Sequence, residues 1–157
     1  MNYSDVPNAT PKRVADEEGL NWASSRLGSN VAHIRFHHRS MVGDEKATPE
    51  KRRSTLRWFM NRLNRKVYGK AHRRYGKELT YTVGEHSDGG NHFHLNVQIP
   101  NDRMSFLRFR SLVTLIAFKT SWIERKYGYP RIYCEVAKNV NRSIRYAVGN
   151  QFDNAVF

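Results

Sequence analysis

The sequence is poor in cysteine, in long apolar runs and, over its central part, in acidic side chains. Its single cysteine, Cys134, excludes an intramolecular disulfide and a zinc cluster held by several thiolates. No apolar run reaches the roughly 18 residues that a membrane-spanning helix needs. The N-terminus carries Asp5, Asp16, Glu17 and Glu18 and no apolar segment, so we expect no signal peptide. These absences predict a soluble, cytoplasmic protein without a membrane partner.

Acidic residues are missing from one long basic segment. The chain of 157 residues, enough for one domain, has 27 Lys and Arg against 14 Asp and Glu, a formal net charge of +13. The segment runs from Lys51 to Lys77 and contains no Asp or Glu. Its basic residues are Lys51, Arg52, Arg53, Arg57, Arg62, Arg65, Lys66, Lys70, Arg73, Arg74 and Lys77. A solvated helix face normally mixes both signs, because like charges on a helix repel one another. The run therefore favours a polyanion partner, with nucleic acid ahead of an anionic membrane, since no strongly apolar face accompanies the charge.

Hydrophobic periodicity predicts elements in the order β-α-β-β-α-β, followed by a C-terminal helix. The expected strands are 32–38, 79–85, 92–99 and 131–137, and the expected helices begin at 49, at 105 and at 141. This order is typical of an α+β, ferredoxin-like split β-α-β-β-α-β fold, an antiparallel sheet with helices on one face. We expect residues 1–30 to be a partly irregular N-terminal extension and residues 31–157 to form the domain.

Three of the predicted strands place polar side chains on the face opposite the expected helices. These side chains belong to His33, Arg35, His37, His92, His94, Asn96, Gln98, Arg131, Tyr133 and Glu135. The strand over 79–85 does not follow this pattern, because alternation places the polar Glu85 on the same face as Tyr81 and Val83. That strand is therefore either covered on both faces or bulged at Gly84.

A pair of histidines marks the candidate chemical site. His92 and His94 are two residues apart on a predicted strand, so their imidazoles lie on one side, about 7 Å apart along the chain. Glu85, across a tight turn, can add a carboxylate oxygen. Two nitrogens and one carboxylate form an open site for a divalent cation. The alternative is that both histidines only decorate an exposed strand.

The His92-Phe93-His94 triplet and Glu85, in this order of elements, resemble the HUH superfamily of endonucleases: rolling-circle replication initiators, relaxases and single-tyrosine transposases. The resemblance covers residues 32–152 and implies that Glu85, His92 and His94 bind Mg²⁺ or Mn²⁺. It implies Tyr146 as the nucleophile on the C-terminal helix, in a domain over 31–157. The implied reaction is nicking and joining of single-stranded DNA through a 5′-phosphotyrosyl intermediate, as in rolling-circle replication initiation.

The same resemblance implies the setting and the partners. The expected substrate is single-stranded DNA or an origin hairpin, and the expected further partners are a host replication helicase or polymerase. The expected host is prokaryotic, with the protein encoded by a phage or plasmid. We expect DNA contacts from these residues: Arg35, His37, Arg52, Arg53, Arg57, Lys66, Asn96, Gln98, Lys138, Arg142 and Arg145.

The neighbourhood of Tyr146 supports its assignment as nucleophile. On a helical wheel Ile144 and Val148 belong to an apolar stripe, while Tyr146 lies on the polar face. Tyr133 is the competitor, because its parity also places it on the polar face of the sheet. Replication initiators carry a Lys three residues after the Tyr, where this chain has Gly149. The residues that could supply this cation instead are Lys138, Arg142 and Arg145.

Several alternatives stay open from the residues. The chain could be a transposase or relaxase of the same superfamily. It could be a catalytically inactive nucleic-acid-binding module, because Gly149 replaces the usual Lys. It could also be a metal nuclease without a covalent step, in which case Tyr146 would be dispensable. A piece of a longer initiator is a further possibility.

Overall fold

Six strands and four helices make up the described part of a computed structural model of the chain. This part comprises residues 17–38, 41–42, 44–46, 48–85, 92–119, 128–140 and 142–144. The helices are α1 Glu17–Leu27, α2 Pro49–Tyr68, α3 Lys70–Tyr75 and α4 Phe106–Lys119. The strands are β1 Val31–His38, β2 Met41–Val42, β3 Glu45–Lys46, β4 Tyr81–Glu85, β5 His92–Gln98 and β6 Gly128–Val136.

Four of the strands form one sheet in the order β4-β5-β1-β6, and every neighbouring pair is antiparallel. The segment with α2 connects β1 to β4, which are separated in the sheet by β5. The segment with α4 connects β5 to β6, which are separated by β1. The predicted α+β class with an antiparallel sheet is therefore confirmed, and β5 and β1 are its interior strands.

Helix α2 begins where the sequence predicts it. Thr48 is the N-cap, and its hydroxyl accepts a hydrogen bond from the backbone N–H of Lys51 at 3.2 Å. Pro49 occupies the first turn, where its missing N–H costs no hydrogen bond. One side of α2 is apolar, and its residues are all buried: Leu56, Phe59, Met60, Leu63 and Val67.

The main core lies between the sheet and a layer made of α2 and α4. It joins residues of both helices to the inward positions of the strands, among them Ile34, Phe93 and Leu95. Phe36 of β1 and Phe59 of α2 meet at its centre, with their rings 4.8 Å apart. We call this covered side the first face of the sheet and the opposite side the second face.

The second face is partly covered rather than open. Helix α1 and the residues after β6 form a smaller core there, which consists of Ala23, Leu27, Val31, Ala137 and Ile144, flanked by Trp22 and Val140. Two sheet amides hold this cover in place. Gln98 donates to the carbonyl of Leu27 at 3.1 Å, and Asn96 donates to the carbonyl of Ser143 at 3.3 Å. The predicted fold has helices on one face only, whereas α1 and residues 142–144 cover part of the other face as well.

Two further features concern a loop and the element ends. The segment between β1 and α2 contains the short hairpin of β2 and β3. The helix predicted to begin at 105 is described over Phe106–Lys119, and residues 120–127 lie outside the described part. Val136, the last residue of β6, is 45% exposed. None of the described helices is long and apolar enough to cross a membrane.

Candidate functional site on the second face of the sheet

The predicted metal ligands lie at the adjoining ends of β4 and β5. Only one of the three, His94, has a described side chain; the side chains of Glu85 and His92 lie outside the described part. The backbone register pairs Glu85 with Phe93, and His94 with Gly84. The register therefore gives no support to the expected convergence of Glu85 with the two histidines, because directly paired residues share a face of the sheet.

The same register shows whether β4 is bulged at Gly84 or covered on both faces. Its pairing with β5 runs from Tyr81 to Glu85 without a shift, so the strand is not bulged at Gly84. Thr82 and Val83 have opposite parity and are both buried, at 0% and 3% exposure. Strand β4 is therefore covered on both faces, which was the other alternative.

A continuous hydrogen-bonded chain of side chains runs across β5 and β1 on the second face. His94 Nδ1 lies 3.3 Å from His33 Nε2, and His33 Nδ1 lies 3.3 Å from Asn96 Oδ1. The two imidazole rings are stacked, with centroids 5.3 Å apart and planes at 30°. Asn96 completes the series through its bond to the Ser143 carbonyl. We call this series, His94–His33–Asn96–Ser143, the imidazole–amide chain.

The direction of every hydrogen bond in the imidazole–amide chain follows from its last acceptor. A backbone carbonyl only accepts, so Asn96 donates through Nδ2 and presents Oδ1 to His33. His33 therefore carries its proton on Nδ1, and its Nε2 accepts from Nδ1–H of His94. In neutral His94 the lone pair then resides on Nε2. A ring nitrogen with a lone pair can bind a metal ion or accept a proton.

His33 is neutral in this arrangement because of its burial. Burial lowers the pKa of His33 below its ordinary value of 6.5, and the hydrogen bond to Asn96 only partly opposes that effect. Glu135 also raises the pKa of His33, while Arg35 lowers it. A neutral His33 can accept from one side and donate to the other, which is what the imidazole–amide chain requires.

A buried hydroxyl lies next to the imidazole–amide chain. Thr82 pairs with Asn96 across β4 and β5, so the two share the second face. Within the described part of the chain, Thr82 Oγ1 is buried with no hydrogen-bond partner. An unpartnered buried hydroxyl costs about 1–3 kcal/mol, so the Thr82 hydroxyl reduces the stability of the fold.

The described side chains fit a divalent cation only in part. His94 offers one imidazole in the correct tautomer, with His33 orienting it as a metal-binding histidine is normally oriented. Among residues 17–144 with described side chains, no group of three or more His, Cys, Asp or Glu is arranged to hold a metal ion. Cys134 is buried in the main core, where burial raises the pKa of its thiol to about 12, so it stays protonated.

Away from α1 and residues 142–144, the second face carries an arginine–tyrosine stack. The guanidinium of Arg35 on β1 lies 4.3 Å from the ring centroid of Tyr133 on β6, its direct cross-strand partner. The Tyr133 hydroxyl donates to Glu135 Oε2 at 2.7 Å. This hydrogen bond raises the pKa of Tyr133, and the charge of Glu135 adds to the effect. The Tyr133 hydroxyl is therefore engaged by a carboxylate of its own strand, two residues further along.

The residues expected to bind DNA fall on two sides of the sheet. Arg52, Arg53, Arg57 and Lys66 belong to α2, the helix that covers the first face. Arg35 and His37 lie on β1, and Lys138 and Arg142 are exposed residues beside the smaller core on the second face. The second group therefore lies on the side of the sheet that carries the imidazole–amide chain, and the cations of α2 lie on the other side.

Asn96 and Gln98 have a different role from the one expected. Asn96 is completely buried and Gln98 is half-buried. Both amides hold backbone carbonyls of the elements that cover the second face. DNA contact is therefore not supported for either residue.

The predicted nucleophile lies two residues after a helical turn at 142–144, which is where the sequence predicts the start of the C-terminal helix. Asn139 caps this turn: its side-chain oxygen accepts from the backbone N–H of Arg142 at 3.0 Å. Its carbonyl accepts from Ser143 N–H at 3.0 Å, and Ile144 is buried in the smaller core. Tyr146 and Arg145 themselves lie outside the described residues.

Sequence reasoning missed the central position of His33. The alternation of β1 places it on the polar face, but nothing in the sequence says which residue of β5 lies opposite. The register that pairs His33 with Asn96, and Arg35 with His94, is a property of the folded sheet. Comparison of the chain with protein-family models, with curated proteins and with solved structures finds no significant match.

Proposed function

We propose that this protein nicks and rejoins single-stranded DNA, with Tyr146 as the attacking nucleophile and His94 at the centre of the site. The observation that carries the proposal is the hydrogen bond from Asn96 to the carbonyl of Ser143. It attaches the segment that leads to Tyr146 to the same sheet face, and to the same hydrogen-bonded series, as His94. Rolling-circle replication initiation is the biological process to which this chemistry would belong.

Chain length supports the approach of Tyr146 to this face. Three residues of chain span at most about 10 Å, so the Tyr146 backbone is within that distance of Ser143. Asn96 and His94 are two residues apart on β5, about 7 Å along the strand. A phenol on a segment fixed at Ser143 can therefore reach a phosphate bound near His94.

The proposed reaction is a transesterification that needs no nucleotide cofactor. The Tyr146 oxygen attacks the phosphorus and its hydroxyl gives up a proton, the bond between phosphorus and the 3′ oxygen breaks, and the 3′ oxygen takes up a proton to become a 3′-OH. The phosphotyrosyl ester keeps the bond energy, so attack by a 3′-OH reverses the step. A bound Mg²⁺ or Mn²⁺ would polarise the phosphate.

The chain's own residues have defined parts in this proposal. Asn96 and His33 hold His94 in the tautomer with its Nε2 lone pair, ready to bind the cation with His92. Glu85 remains a ligand to be tested, because its register position opposite Phe93 does not favour it. Arg35, Lys138 and Arg142 supply positive charge for the phosphates of the strand.

One observation favours a second candidate, a single-stranded nucleic-acid-binding module without catalysis. The register pairs Glu85 with Phe93 and His94 with Gly84, so it does not favour Glu85 and His94 as ligands of one cation. Positive charge and an exposed tyrosine on the second face are sufficient for binding alone.

A denaturing gel separates the two candidates. The protein is incubated with labelled single-stranded oligonucleotides of random sequence and Mg²⁺ or Mn²⁺. We expect a labelled band that migrates with the protein, its loss in Tyr146→Phe and in excess EDTA, and its retention in Tyr75→Phe. Tyr75 is a suitable control because it is 80% exposed on α3.

Two results would refute the proposal. Cleavage without a shifted protein band indicates simple hydrolysis, in which Tyr146 has no covalent role. Binding without any cleaved product indicates the binding module.

A further inference from the structure

We propose that Arg35, Tyr133 and Glu135 form a nucleobase-binding subsite that discriminates against thymine. The inference rests on the proposed function in taking single-stranded DNA as the ligand. It goes beyond that function by naming the residues that read a base.

The stacking surface is built by two neighbouring strands. Tyr133 lies on β6, an edge strand of the sheet, and remains 42% exposed although the Arg35 guanidinium lies against its ring. Arginine planes and tyrosine rings are the two surfaces on which unpaired bases stack in proteins. Cross-strand pairing fixes the position of both groups, so the surface exists before any ligand binds.

The polar side of the subsite is the Glu135 carboxylate. It accepts the Tyr133 hydroxyl through Oε2, and a carboxylate has about four lone-pair sites, so further acceptor capacity remains. Adenine, cytosine and guanine each present an exocyclic amino group that can donate to a carboxylate. Thymine presents a single ring N–H between two carbonyl oxygens, which a carboxylate repels. Glu135 therefore favours the three amino-bearing bases.

The position of the subsite suits a DNA strand that also reaches the imidazole–amide chain. Arg35 pairs with Tyr133 on one side and with His94 on the other, so the three residues form one row across β6, β1 and β5. Two strand spacings separate the ends of this row by about 10 Å. A base stacked on Tyr133 would thus belong to a nucleotide close to the phosphate at His94.

The occupant follows from charge. The chain has a net charge of +13, and Arg35, Lys138 and Arg142 belong to the second-face side of the molecule. Single-stranded DNA supplies both the phosphates that these cations bind and the base that stacks on Tyr133.

The test measures equilibrium binding of labelled oligonucleotides in EDTA, where no cleavage step contributes. We expect Tyr133→Ala to weaken binding of oligo-dC about tenfold or more, as the loss of one stacking ring does. Tyr133→Phe, which keeps the ring, should bind within about twofold of the parent protein. Phe118→Ala is the matched control, because Phe118 is an aromatic residue of α4 that is 50% exposed.

The base preference tests Glu135 separately. The parent protein should bind oligo-dC more tightly than oligo-dT, and Glu135→Gln should abolish this difference, because an amide can pair with either base. Tyr133→Leu serves as a second truncation if Tyr133→Ala unfolds, since it keeps apolar bulk without the ring.

Three results would overturn the inference: no binding of single strands, equal losses in Tyr133→Ala and Phe118→Ala, or equal binding of oligo-dC and oligo-dT by the parent protein. If these binding results hold but no protein–DNA adduct forms, the subsite stands and the nicking function fails. If adducts form but the base preference is absent, the nicking function stands and the subsite fails.

Discussion

Truncation of Asn96 to alanine should destabilise the protein more than its small volume suggests. Asn96 is completely buried and makes two hydrogen bonds, one to His33 and one to the Ser143 carbonyl. Its loss leaves a buried ring N–H and a partly buried carbonyl without this partner. Each costs about 1–3 kcal/mol, so we expect a decrease of about 2–6 kcal/mol in the free energy of unfolding.

The expected decrease is measurable in two ways. For a domain of this size, 1 kcal/mol shifts the melting temperature by about 2–4 °C, so Tm should fall by about 4–24 °C in thermal denaturation followed by circular dichroism. Urea titration should show a lower midpoint with an unchanged slope. Asn61→Ala, an exposed asparagine of α2, is the control and should change stability by less than about 0.5 kcal/mol. An Asn96→Ala protein as stable as this control would refute the imidazole–amide chain.

Two further variants test the neighbours of Asn96. Thr82→Val should raise the free energy of unfolding by about 1 kcal/mol in urea titration, because it removes the unpartnered buried hydroxyl and keeps the shape of the side chain. A destabilised Thr82→Val protein would show that the hydroxyl has a partner in solution. His33→Gln should flatten the pH dependence of stability. Burial lowers the pKa of His33 from 6.5, so its neutral form stabilises the fold above pH 6.5, and that contribution is lost as the pH falls through the lowered pKa. Identical stability profiles of the two proteins between pH 8 and pH 5 would contradict a buried, neutral His33.

Helix α2 and the strands of the main sheet were predictable because the sequence patterns that define them involve only residues close together in the chain. Thr48 and Pro49 start α2 by capping chemistry that depends on a few adjacent residues. The alternation in β5 assigns Phe93 and Leu95 to the first face whatever the neighbouring strand is, and both are buried there.

The cover of the second face could not be predicted in the same way. Helix α1 has a short apolar side with Ala23 and Leu27, which by itself does not show that the helix packs on the sheet. The contact depends on residues far apart in sequence, as the bond from Gln98 to Leu27 shows. The meeting of His33 with His94 is equally non-local, since it depends on the register of β1 against β5.

The attachment of DNA to the protein tests the central claim most directly. After incubation with single-stranded DNA and Mn²⁺, nuclease digestion should leave a nucleotide on the protein, and peptide mass spectrometry should place it on Tyr146. Attachment at Tyr133, or a protein that carries no nucleotide although the DNA is cleaved, would contradict the claim that the segment anchored at Ser143 delivers the nucleophile.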